Sequence, residues 1–109
     1  MKSRIMYIER KVGALTGEAR IGRVTFNKTG RSIYYREQVF RRIFGGGFKS
    51  NYLEETTGED YWISGPKRRG GDRMYGSSLP VAIDEDARVE YWRDIRGQPE
   101  RIAYDVAYN

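Results

Sequence analysis

From Arg4 to Ser64 the chain is cut into short runs of β-forming residues, and glycine or asparagine turns close each run before a helix could complete itself. RIMYIER, Arg4–Arg10, has a four-residue apolar centre, too short for an uncapped helix and rich enough in β-formers to be a central strand. Val12 to Glu18 holds two glycines and reads as a loop. Arg20–Lys28 alternates through Val24 and Phe26, but Ile21 falls out of phase unless a bulge at Gly22 restores it, so a bend is expected there. Asn27-Lys28-Thr29-Gly30 is turn chemistry with Gly30 free to take positive φ, and Glu37-Gln38 is a weaker turn. Between them lies Ser32–Tyr35. VFRRIF, Val39–Phe44, is the next strand, and Gly45-Gly46-Gly47 ends it as either a joint or a close approach of backbones.

The densest aromatic cluster follows. Tyr52 and Leu53 precede a turn on Thr56-Thr57-Gly58 and Tyr61, Trp62 and Ile63 come after it, so the two sets face each other across a hairpin that Gly65-Pro66 ends. Only one later stretch has helical signals. Asp84 is placed to cap it, Glu85 and Asp86 suit its positive end, Arg93 and Arg96 its negative end, and Gly97 with Pro99 stops it. Val89, Trp92 and Ile95 or Arg96 form its expected buried stripe, flanked by Ala87 and Tyr91. Many short strands and then one helix, from about Asp84 to Arg96, predict a mainly β (α+β) domain: a strongly bent antiparallel sheet or small SH3-like barrel with the helix packed against it. At 109 residues this is one domain over 1–100 with one core, and 101–109 is an extension, an edge strand through Ile102, Tyr104 and Val106 or a mobile tail. Nine tyrosines in a chain poor in leucine make that core thin and aromatic.

Two absences bound the chemistry. Without histidine there is no imidazole base, triad or histidine-bound metal, and without cysteine there is no disulfide, thiolate zinc site or cysteine nucleophile. The carboxylate pairs Glu54-Glu55 and Glu59-Asp60 flank the hairpin turn, and Asp84-Glu85-Asp86 starts the helix, positions with ordinary structural reasons for acid. No recognisable catalytic motif stands out, so the expectation is a non-enzyme with no cofactor and no metal. MKSRIMYIERK carries charges where a signal peptide needs its apolar segment, and no apolar run is long enough to span a bilayer, so a cytoplasmic protein without a membrane partner is expected.

Charge is divided unevenly along the chain. Residues 1–49 hold twelve Lys or Arg against three acidic residues, whereas residues 50–109 hold eight against twelve. Either the first half presents a basic face to nucleic acid or another polyanion, or the acidic helix packs beside the basic strands and neutralises them. After the hairpin, Lys67-Arg68-Arg69-Gly70-Gly71-Asp72-Arg73 lacks the GK[ST] ending and following helix of a P-loop. Its charge and backbone freedom nevertheless suit phosphates, against the alternative of a merely solvated loop. The expected anion or nucleic-acid contacts are Lys67, Arg68, Arg69 and Arg73, helped by Arg41 and Arg42, with Tyr61, Trp62 and Tyr75 as candidate stacking rings. A binding domain for nucleic acid is the leading reading, and a protein-interaction module is the alternative.

NYLEETTGEDYWISGPKRRGGDRMYG and IDEDARVEYWRDIRGQPE, with MKSRIMYIERK and GEARIGRVTF, resemble a family of small bacterial proteins of uncharacterised function, about 100 residues long and marked by a YWISGPK motif. The resemblance covers most of residues 1–100 and leaves out 101–109. It implies a stand-alone domain and supplies no catalytic residues. Some members bear the name of 1-deoxy-D-xylulose-5-phosphate synthase, but such a thiamine diphosphate enzyme needs a GDG-type metal motif and catalytic histidines on a much longer chain. Gly70-Gly71-Asp72 only echoes that motif.

Overall fold

The computed structural model describes residues 2–12, 15–44, 50–73 and 79–108. The triple glycine Gly45–Gly47 and Tyr75 lie outside them. Strands β1 (Ser3–Val12), β2 (Leu15–Phe26), β3 (Ser32–Tyr35), β4 (Gln38–Arg42), β5 (Tyr52–Glu54) and β6 (Asp60–Ser64) pair antiparallel in sequence order, and β6 returns to β1. That return closes a six-stranded barrel, which leaves no free edge among these strands where they pair. The closed barrel is consistent with the small SH3-like arrangement expected. Two further strands extend the sheet outside the ring: β7 (Val81–Ile83) pairs parallel with β2 through Arg20 and Ile21, and β8 (Val106–Ala107) pairs antiparallel with β7.

The turns follow their residues. Gly30 and Gly58 both take φ of 74°, and the Asn27 carboxamide accepts the Ser32 N–H at 3.2 Å, fixing the β2–β3 turn. In the β5–β6 hairpin, Tyr52 stands opposite Tyr61, and buried Glu54 accepts the Thr56 N–H at 2.7 Å. Asn51 completes the ladder where β5 begins, its carboxamide both accepting from and donating to the Ile63 backbone at 2.8 Å. Arg36 enters the β3–β4 turn at φ 55°, a position usually left to glycine.

Side chains alternate into two cores rather than the one expected. Met6, Ile8, Val24, Ile33, Tyr35, Phe40, Tyr52, Tyr61 and Ile63 fill the barrel. Ile5, Tyr7, Ala19 and Ile21, on the outer faces of β1 and β2, pack with Val81, Ile83, Ala87, Tyr91, Trp92 and Ala107. Covering the β1–β2 wall on both sides removes the need for a bulge at Gly22. Ile21 and Val24 are both fully buried, one in each core, and the β1–β2 register runs unbroken through Gly22. Gly22 is required for a different reason. A Cβ there would lie 2.5 Å from Tyr35 Cε1 and 2.7 Å from Asp84 Oδ2, so this glycine admits a ring and a carboxylate against the backbone. The register shift lies instead where Glu9 pairs Ala19 but Lys11 pairs Thr16, which places the extra residue at Gly17-Glu18. The segment expected as a loop from Val12 to Glu18 is thus largely strand, because β1 offers it a partner as far as Val12 opposite Leu15.

The helix α1 (85–95) also departs from its expected phase. A 3-10 turn, Glu85–Ala87, leads through Arg88-Val89 into a π-helical stretch, Glu90–Ile95, where the Arg96 N–H donates to the Tyr91 carbonyl. This wider turn brings the adjacent Tyr91 and Trp92 inward together, their rings 4.9 Å apart edge to face, and leaves Val89 44% exposed. Asp84 caps nothing with its side chain, which is committed elsewhere. Gly97, at φ 65°, ends the helix as expected.

Candidate anion-binding surface

Eight of the described Lys and Arg side chains sit in ion pairs. At one mouth of the barrel, Asp84 Oδ1 accepts from Arg20 at 3.1 Å and Arg36 at 2.8 Å, while its Oδ2 accepts the Tyr35 hydroxyl. Burial first, and then that hydrogen bond, push the Tyr35 phenol well above its ordinary range. Arg23 meets Glu90 at 2.9 Å, Arg10 meets Glu59 at 2.6 Å, and Arg41 meets Glu55 at 2.6 Å. The acidic start of α1 thus neutralises Arg20, Arg36 and Arg23, as one of the two expected uses of the charge asymmetry required.

The glycine-rich loop is tied down at its far end. Asp72 is buried; its carboxylate accepts the Lys67 N–H, the Tyr91 hydroxyl and Arg96 Nη2, each at 2.7 Å. Arg96 also donates to the Gly70 carbonyl. Arg73, expected as an anion contact, is 5% exposed and donates to the Gly17 and Pro80 carbonyls at 2.9 and 3.1 Å. It fastens the loop to β2 and to the start of β7, and so is not on the surface the loop presents. Lys67, Arg68 and Arg69 remain exposed. Arg41 is held by Glu55, and Arg42 lies over Tyr52 at 5.5 Å and Phe44 at 5.9 Å. Tyr61 is buried inside the barrel against Phe40, so it offers no face for stacking. Trp62 is half-buried against the outer core, with its indole N–H on Ser64 Oγ at 3.2 Å. Tyr75 falls outside the described residues.

The opposite end of the barrel carries a feature that the strand pattern alone did not reveal. β6 covers β1 only from Tyr7 to Arg10, so Ser3–Met6 run on beyond the closed ring beside the end of β2. There an open groove of about 770 Å³ is lined by Lys2, Arg4, Phe26, Asn27, Lys28, Thr29 and Gly30. Lys2 and Arg4 share the strand parity of Met6 and Ile8, and Phe26 that of Val24, so the groove continues the barrel's inner face past its closure. Phe26 packs partly on the inner core. The floor is fixed, because the Phe26 N–H donates to the Lys2 carbonyl at 2.9 Å. Arg4 also lines a second groove, of about 310 Å³, with Gly65, Pro66 and Arg68, which joins the barrel end to the basic loop. Lys2, Arg4, Lys28 and Arg68 have no ion-pair partner among the described residues. The alternation of Lys2 and Arg4 with the core residues of β1 was the available signal.

Among the described residues no group of His, Cys, Asp and Glu could hold a metal ion, and no helix is long and apolar enough to cross a membrane. No protein-family model matches the chain, and comparison with curated proteins and with solved structures gives no match.

Proposed function

We propose that this domain is a non-catalytic binding module for an anionic partner, nucleic acid being the chemistry its surface suits best. One observation carries the reading: the structure uses many of its cations in ion pairs and leaves Lys2, Arg4, Lys28 and Arg68 unpaired on two adjoining grooves. A cation already paired with a carboxylate has little left to offer a phosphate, whereas an exposed unpaired one releases its counterions on binding and gains by it. Lys67 and Arg69, exposed beside Arg68, extend the same charge. A backbone-contacting surface of this kind binds with weak sequence preference and a steep salt dependence.

The test is capture of partners by the immobilised protein with and without nuclease, together with direct titration against oligonucleotides at several salt concentrations. The expected result is capture that nuclease abolishes and a log K that falls linearly with log salt. Partners that survive nuclease, with no oligonucleotide bound at low salt, would instead establish a protein-interaction module.

A further inference from the structure

We infer that the groove at the open barrel end is the seat of a single strand, one of whose bases stacks on Phe26 while its phosphates run along Lys2, Arg4 and Lys28 toward Arg68. This rests on the nucleic-acid reading above and names the form of nucleic acid and its path, with the barrel end as the principal contact and the Lys67–Arg69 loop as the lesser one. Three features argue for it. The groove combines an aromatic ring with cations, the pairing that single strands require and duplexes do not, since a duplex keeps its base faces stacked inside. Its parts are prearranged. The Lys2–Phe26 backbone bond, the Asn27 carboxamide and Gly30 at φ 74° hold the β2–β3 turn in place, so little ordering is left to occur on binding. Finally, Arg4 belongs to both grooves, and Gly65 packs close to it: a Cβ on Gly65 would lie 3.8 Å from Arg4 Nη2. The loop therefore starts beside the strand's path and gives Arg68 a place along it.

The experiment titrates the full chain with a short fluorescent oligothymidylate and with the matching duplex, over a salt series, using three variants. Combined Lys2→Ala, Arg4→Ala and Lys28→Ala should lower the slope of log K against log salt by about 2, since each cation removed from a single-strand phosphate takes away roughly 0.7. Phe26→Leu, which keeps an apolar side chain on the inner core, should weaken binding by at least about 5-fold with the slope unchanged, because it removes a stacking face and leaves every phosphate neutralised as before. Combined Lys67→Ala, Arg68→Ala and Arg69→Ala should have the smaller effect on slope. Single strand should bind more tightly than duplex.

If the loop variant loses binding while the groove variant keeps its affinity and slope, the inference is overturned and the nucleic-acid reading stands. Preference for duplex, or an unchanged affinity in folded Phe26→Leu, overturns the stacked single strand. If the parent chain binds no oligonucleotide at low salt, both readings fall together. Should Phe26→Leu unfold, Arg4→Ala with Lys28→Ala decides, since both side chains are on the surface: an unchanged slope counts against the groove.

Discussion

The wall formed by β1 and β2 separates two interiors of different chemistry. On its inner side, Met6, Ile8, Val24, Ile33 and Phe40 meet the rings of Tyr35, Tyr52 and Tyr61 in a barrel assembled from one face of each of six strands. On its outer side, Tyr7, Ile21, Tyr91 and Trp92 share their layer with buried Glu9, Asp72 and Arg73. Tyr7 donates to Glu9, and Lys11 Nζ reaches the same carboxylate at 2.6 Å. The inner core is held mainly by area removed from water, with buried Glu54 and the Tyr35–Asp84 hydrogen bond as its polar exceptions, whereas the outer one depends on a larger set of polar groups that are costly unless every partner is present. Its members come from far apart: β1, the 65–73 loop, α1 and the C-terminal β8.

The largest effects should come from emptying either interior. Phe40→Ala and Trp92→Ala should each cost about 3–5 kcal/mol by denaturant unfolding, since both rings are buried and each leaves a cavity that its neighbours fill only in part. A loss below about 1 kcal/mol for Trp92→Ala would reduce the outer layer to a veneer. Asp72→Ala follows at about 3 kcal/mol, because it strands the Lys67 N–H, the Tyr91 hydroxyl and Arg96 at once. It should also release the loop, read as faster amide exchange at 67–73, while amides of the inner barrel stay protected.

The same division decides what could be read from sequence. Strand-forming runs made β1 and the β5–β6 hairpin legible, turn chemistry the Asn27–Gly30 turn, and helical spacing the burial of Trp92, since each depends on residues close in the chain. Val89 was misplaced because a π-helical turn, set by packing against the barrel wall, shifted the phase of α1. Ile21 is out of phase with Val24 only for a wall covered on one side; with a core on each face it needs no bulge. Arg73 has the sequence setting of a phosphate ligand, but the carbonyls of Gly17, 56 residues away, and of Pro80 hold it. The groove is not legible in the strand pattern for a similar reason: Lys2, Arg4 and Lys28 become neighbours only through the β1–β2 register, and their lack of ion-pair partners among the described residues is a tertiary fact.

Alkali should separate the two layers by a smaller step. Tyr7 and Tyr91 on the outer side, and Tyr35 on the inner, have phenol pKa values pushed well above the ordinary 10.0, by burial first and then by the carboxylates they meet. Below pH 10 these phenols are protonated in folded and unfolded chains alike, so their contribution is fully present. Above it the unfolded chain releases protons that the fold retains, so stability falls as pH rises, by about 1.4 kcal/mol per pH unit for each tyrosine. Phenolate absorbance from these three rings should therefore be held back until the fold gives way. Tyr91→Phe should cost about 1.5 kcal/mol at neutral pH through the lost hydrogen bond to Asp72, and should make the alkaline decline shallower. An unchanged decline would mean that the outer phenol is not shielded.

The smallest effect belongs to an ion pair that lies outside both interiors. Arg10 Nη1 meets Glu59 Oε2 at 2.6 Å on the hairpin side of the barrel, and this hydrogen bond holds the Glu59 carboxyl below its ordinary value. A carboxylate whose pKa is depressed by folding contributes stability above its unfolded value, 4.5, and loses that contribution as pH falls through the folded value. The side chains are 34% and 36% exposed, enough for water and salt to screen the pair and keep the gain slight. Glu59→Gln should therefore lower the unfolding temperature slightly at neutral pH and not at all once Glu59 is protonated in the parent, with the neutral-pH difference shrinking in high salt. Asp72→Asn, which alters a buried network, should keep its deficit in high salt. If Glu59→Gln proved as damaging and as salt-insensitive as Asp72→Asn, the contrast between surface pairing and the outer polar core would fail at its most exposed point.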